Sequence, residues 1–167
     1  MARPPGQLMT NKDFEEVRER YVRLFGEEGV EHGECPAIET TLGISLPQDL
    51  KRIATFYSGG LLGGISHHAL ATRGPATNVA EETTRLRAAA ALPKEFVVLA
   101  EPPDSLIVLN TTQPAEKGTP VIWCSAFDIP RLARTDSLTK PEIWPDYYSF
   151  FRHLLDEEEE QRREGES

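Results

Sequence analysis

Apolar positions recur along this chain at two periods, and the switches between them divide it into helical and extended parts. Phe14, Val17, Tyr21, Leu24 and Phe25 fall at helical spacing, predicting a first helix from Thr10 or Asn11, either of which can cap it, to about Phe25. Gly26 or Gly29 can end it, and Glu15, Glu16 and Glu19 occupy its first half, where the helix dipole favours carboxylates. Beyond a polar connector from Glu27 to Cys35, Pro36 suits the first turn of a short second helix through Leu42, with Gly43 placed to end it. Leu50, Ile53, Phe56 and Tyr57 make the buried stripe of a third helix. Ser45 and Gln48 form its expected capping box around Pro47, and Gly59-Gly60 its exit.

From Leu61 to Ala71 the pattern reads as one glycine-bent strand or two short ones. Asn78 and Glu81 open an alanine-rich helix from about Val79 to Ala91, which Pro93 breaks. Phe96 to Ala100 and Ser105 to Asn110 are β-rich runs joined by a Pro-Pro-Asp turn, a hairpin signature. A polar loop, Thr111 to Thr119, leads to a third run, Val121 to Ser125. Asp146 can cap a last helix whose apolar face is Tyr147, Phe150, Phe151, Leu154 and Leu155. From Asp156 onward the apolar residues stop, so 156–167 reads as an acidic helical extension or tail.

These elements predict an α+β chain with one domain over 10–155: a central, mostly antiparallel sheet packed by N-terminal and C-terminal helices, after a disordered, Pro-rich tail at 1–9. A length of 167 residues with 39% apolar content suits one core. Charge narrows the partners. Lys and Arg total 18 against 27 Asp and Glu, a net charge of −9, so phosphate backbones and anionic membranes repel the chain while a basic protein is attracted. Direct nucleic-acid or membrane binding is therefore not expected. Two cysteines, Cys35 and Cys124, are too few for a disulfide framework, and Cys124 lies in a strand-like apolar run. MARPPGQLM has no apolar stretch of the signal-peptide kind, and no window approaches the ~20 apolar residues of a membrane span. The expected address is the cytoplasm.

Catalytic signals are weak. Gly59-Gly-Leu-Leu-Gly-Gly64 lacks the Lys-Ser/Thr of a phosphate loop and follows a helix rather than a strand. His67-His68 would point to opposite faces of a strand, and no ligand spacing joins either to Cys35, Cys124 or His32, so no metal or cofactor is expected. Ser45, Ser58, Ser105 and Ser125 sit in no nucleophile elbow. Trp123 and Trp144 suit either core packing or recognition. An enzyme is disfavoured; its one remaining form is a small hydrolase using His67 or His68 with a strand-end carboxylate.

The run Ile38-Glu39, Leu42-Gly43, Leu46-Pro47 and Tyr57-Ser58-Gly59-Gly60 resembles the opening motif of the SUKH superfamily. The likeness continues through Leu92-Pro93, Asp104, Leu106 to Leu109, Gly118, Val121-Ile-Trp and Phe150-Phe151. Ser58 stands where that pattern usually has Asn, and Pro102-Pro103-Asp104 replaces a usual Gly-Asp. The resemblance implies a mixed α+β fold with a central sheet. It also implies one of two non-enzymatic roles: an immunity protein that binds and neutralises a polymorphic toxin, often a nuclease, or a regulatory scaffold of the fungal cell-wall-regulator type. With the acidic balance, the expected partner is a basic toxin domain. Glu101, Asp104, Asp128, Trp144 and Asp146 are the expected partner-binding residues, drawn from the acidic and aromatic positions after Ala100.

Overall fold

A computed structural model describes residues 8–27, 29, 34–113 and 117–166. Most of the 1–9 tail, His32, and parts of the 27–35 connector and the 111–119 loop lie outside these residues. Among the described residues, five α-helices and six strands follow one another: α1 (Asn11–Phe25), α2 (Glu34–Leu42), α3 (Gln48–Ile53), β1 (Gly60–Leu62), β2 (Ile65–His67), α4 (Val79–Ala90), β3 (Phe96–Ala100), β4 (Ser105–Asn110), β5 (Val121–Ser125), β6 (Glu142–Trp144) and α5 (Tyr147–Gly165). Two 3₁₀ segments, Ala126–Arg131 and Thr135–Ser137, lie between β5 and β6. The strands form one antiparallel sheet in sequence order, the meander that short connections favour.

The central strands bury both faces. Val97, Leu99, Ile107, Leu109 and Val121 pack with α1, α2, α3 and α5, whereas Phe96, Val98, Leu106, Val108, Ile122 and Cys124 pack with Leu86 of α4 and with Ile129, Leu132 and Leu138. Strict alternation keeps each set on its own side. A bulge between Val98 and Ala100 shifts the β3–β4 register, so Ala100 pairs with Ile107 and turns to the larger core. There Tyr21, Phe56, Tyr57 and Phe151 join α1, the turn after α3 and α5, with Tyr57 and Phe151 5.1 Å apart edge to face.

Helix ends follow local chemistry. Thr10 and Asp13 cap α1 reciprocally, and Asn78 caps α4 by accepting the Glu81 amide. The third helix departs from expectation at both ends. Pro47, not Ser45, occupies its N-cap and has no side-chain acceptor to offer, while the preceding Leu46 amide donates to Glu39 of α2 at 2.8 Å. The helix stops at Ile53, where Thr55 donates its hydroxyl to the Arg52 carbonyl and the chain tightens into i→i+3 bonds; Phe56 and Tyr57 are buried from that turn instead. Strand β6, three residues long, is too short to show alternation and was not foreseen.

Helix α5 continues to Gly165, about 28 Å in all. Its charged second half is bound to the body: Arg20 pairs with Asp156 at 2.7 Å and Glu159 at 2.6 Å, and the Arg162 guanidinium lies 4.8 Å above the Phe25 ring.

Two glycines of the 59–64 motif meet different constraints. Gly59, at φ +103°, leaves a Cβ only 2.6 Å from the His68 carbonyl oxygen, while Gly60, at φ +96°, faces open space. Gly59→Ala is expected to cost about 3 kcal/mol or more and Gly60→Ala about 1–2 kcal/mol, from backbone strain alone in the second case. Urea titrations of the two variants measure the difference.

Candidate functional site

One end of the sheet carries Leu61 and Phe127, the two most exposed large apolar side chains among the described residues, together with the turn-borne Glu101 and Asp104. Strand β3 ends at Ala100, and Glu101-Pro102-Pro103-Asp104 turns into β4, closed by the Ser105 amide on the Pro102 carbonyl at 2.9 Å. Asp104 takes φ +58°, a left-handed conformation that Asp tolerates better than most residues. Its carbonyl accepts the Ala126 amide at 3.0 Å, so the turn braces the first 3₁₀ segment. Ser125 caps that segment by accepting the Phe127 amide, which leaves the Phe127 ring 83% exposed. The β1–β2 hairpin projects toward the same end. His67 pairs antiparallel with Ala100, the last residue of β3, so Ile65, Ser66 and the Gly63-Gly64 turn run past it. Leu61 on that hairpin is 68% exposed.

A hydrogen-bonded chain supports this end from behind. His68 contacts Thr77 Oγ1 through Nδ1 at 2.8 Å and Glu101 Oε2 through Nε2 at 2.9 Å; Arg85 of α4 donates to Glu101 at 2.6 Å and to Glu82 at 2.8 Å. Burial alone would raise the Glu101 carboxyl, but the bonds from Arg85 and His68 outweigh it and hold the group below the usual carboxylate range. The arrangement pairs a histidine with a strand-end carboxylate, as the hydrolase reading requires. Here, however, Arg85 already compensates the carboxylate, and the chain latches the 69–78 connection to β2 and β3.

The other histidine is a core residue. His67 lies among Tyr57 and Phe150, whose rings are 6.3 Å and 6.1 Å away, and its Nε2 has no hydrogen-bond partner. Burial, only partly offset by a bond to the Leu62 backbone, pushes it down to about 4. The two imidazoles therefore face apart, as strand geometry predicts. Among the described residues no group of three or more His, Cys, Asp or Glu side chains is placed to hold a metal ion.

The five expected contact residues do not form one surface. Glu101 and Asp104 lie at the turn end, Asp104 exposed and Glu101 with its charge engaged by Arg85. Asp128 is 1% exposed, with Oδ1 paired to Arg131 at 2.6 Å and Oδ2 accepting the Thr139 amide at 3.0 Å. It ties the loop after β5 together and offers no surface, a correction to its expected role. Trp144 and Asp146 are at the opposite end, since Trp144 pairs with Val121, the first residue of β5. Trp144 packs edge to face on Phe150 at 4.9 Å, and the buried Asp146 caps α5 through the Ser149 amide. Leu61 and Phe127 went unnoticed in the sequence. A phenylalanine two residues after a strand and three before Pro130 was the available signal, because such a segment is too short to bury every side chain.

A family model, SUKH_5, described as SMI1-KNR4 cell-wall, matches residues 11–156. The chain belongs to the SUKH_5 family. Its matched span runs from the first residue of α1 to the first charged turn of α5, taking in all six strands. Proteins of this superfamily are generally non-enzymatic immunity or regulatory proteins. No curated protein matches the chain. No helix among the described residues is long and apolar enough to cross a membrane.

Two measurements check the site. The depressed His67 binds its proton below the unfolded value of about 6.5, so between pH 6.5 and 4 the unfolded chain holds more protons than the folded one. Stability should fall as pH falls through that window, by about 3 kcal/mol from this group once both values are passed. Chemical denaturation from pH 7.5 to 4 reads it, and His67→Phe should flatten the curve. Separately, Asp128→Ala should cost about 2–4 kcal/mol by orphaning Arg131 and the Thr139 amide, whereas Asp104→Asn should stay within about 0.5 kcal/mol of wild type.

Proposed function

We propose that this SUKH_5 protein is a cytoplasmic immunity protein that binds a basic toxin domain and blocks it by covering its surface. Family membership is the observation that carries the reading, since immunity and regulatory roles are general in this superfamily. The net charge of −9 supports a basic partner. The turn end supports the site: Phe127 is the kind of exposed aromatic anchor around which interfaces form, and Asp104 stands beside it through the Ala126–Asp104 bond.

The contributions divide in time. Long-range attraction between the acidic chain and a basic toxin speeds encounter, while burial of Phe127 slows release. Glu101 holds the turn through Arg85 and His68 rather than by presenting free charge. Trp144 and Asp146, at the far end, would contact only a partner large enough to wrap the β6 edge.

Co-expression with toxin domains encoded beside this gene tests the reading. Growth rescue and a purified stoichiometric complex are expected; failure of both with every adjacent toxin would contradict it. Within such a complex, Phe127→Ala should raise the dissociation rate about tenfold or more. Asp104→Asn should lower the association rate a few-fold, by about twofold to fivefold, with a weaker salt dependence. Stopped-flow association and surface-binding dissociation rates separate the two.

A further inference from the structure

Strand β1 is a free edge of the sheet, with β2 on its inner side. We propose that this edge receives an extended segment of the partner as a seventh strand, and that the segment alternates apolar and basic residues. The inference rests on the partner-binding reading above and specifies what the partner presents.

The hairpin geometry leaves the edge open. Gly63 and Gly64, at φ +64° and +79°, form a two-residue turn of the mirror-image kind, so the pair that closes it is Leu62 and Ile65. In an antiparallel ladder that pair exchanges both hydrogen bonds, and the next pair out, Leu61 and Ser66, turns its backbone groups away. The Leu61 amide and carbonyl therefore point outward from the sheet edge. Its side chain, 68% exposed, points away from the core that takes Leu62. Outward-pointing backbone groups with no neighbouring strand are a template for an added strand.

Charge selects the occupant. Helix α5 passes beneath the hairpin, with the Gly63 amide donating to Glu158 at 3.0 Å and Gly64 against the Gln161 side chain. Residues 156–166 carry seven carboxylates; Arg20 of α1 offsets Asp156 and Glu159, Arg162 pairs with Glu158 and Arg163 with Glu160, so the segment keeps a net negative charge. An incoming strand has two faces. One would lie with Leu61 and favour apolar side chains; the other would look toward the acidic half of α5 and favour Lys or Arg. A second copy of this chain would bring another −9 to the same place and is repelled.

The test uses the full chain and an acetylated, fluorescein-labelled heptapeptide of alternating lysine and valine. Its control is the same peptide N-methylated at alternate residues, which keeps the charge and removes the donors. Fluorescence anisotropy should show saturable binding of the first peptide and at least tenfold weaker binding of the second. Leu61→Pro should lose the first peptide by a similar factor while keeping the wild-type melting temperature, because the donor it removes points outward. Glu157→Gln with Glu160→Gln should weaken binding and flatten its salt dependence. Equal binding of both peptides overturns the proposal and decides the matter on wild-type protein even if Leu61→Pro does not fold. A dimer in sedimentation that Leu61→Pro abolishes also overturns it, by making a second copy the occupant. If an adjacent toxin binds Leu61→Pro as tightly as wild type, the edge assignment fails and the immunity reading stands. If the peptide binds as described but no adjacent toxin does, the immunity reading fails and the edge assignment stands.

Discussion

Everything in this fold follows from the need to cover both faces of β3, β4 and β5. All five residues of β3 are buried, as are five of the six in β4. Strands buried on both sides demand a layer of apolar cover on each. One layer is made by α1, α2, α3 and α5, the other by α4 and the 3₁₀ segments after β5. The outer strands escape this demand. Strands β1 and β6 are three residues long and carry Leu61 and Ile143 at the surface. The interior is thus closed and largely apolar.

Helix α5 links the two requirements. Its first half supplies Phe150, Phe151, Leu154 and Leu155 to the larger core, each at most 1% exposed. Its second half has nothing apolar to bury, yet it is fixed by Arg20, by the Phe25 ring and by the Gly63 amide. Those contacts are individually modest, since exposed ion pairs contribute about 0–1 kcal/mol each. Their consequence is positional. They hold a row of carboxylates beside the β1–β2 hairpin, at the same end of the sheet as Asp104 and Phe127. The GGLLGG motif, which lacks the chemistry of a phosphate loop, makes that placement possible: Gly63 and Gly64 shape the turn, and a Cβ on Gly63 would sit 3.0 Å from the Leu154 carbonyl oxygen.

Sequence periodicity located what burial governs. The apolar runs at 96–100, 105–110 and 121–125 are β3, β4 and β5, and the capping residues Thr10, Asn78 and Asp146 begin α1, α4 and α5 as read. The misses share one cause, competition from side-chain hydrogen bonds that a hydrophobic period does not record. Glu39 of α2 takes the Leu46 amide, and Thr55 bonds back to Arg52, so the third helix is shorter than its stripe. Asp128 shows the same limit for function. Its composition suits a surface contact, but Arg131 and the Thr139 amide claim both oxygens. Phe127 is the converse, an apolar residue that the loop after β5 cannot bury. Exposure at loops is decided by tertiary geometry, which a pattern of residue types does not carry.

The proposed recognition surface lies at one end of the sheet, on Leu61, Asp104 and Phe127, backed by the His68–Glu101–Arg85 chain and the acidic half of α5. Hydrogen exchange, read residue by residue on the chain alone and in complex with the proposed toxin partner, tests that placement most directly. The account predicts new protection in 60–66, 102–105 and 126–128, with exchange in β6 and the N-terminal turn of α5 unchanged. Protection concentrated around Trp144 and Asp146, with the β1–β2 hairpin and Phe127 exchanging as in the free protein, would contradict it.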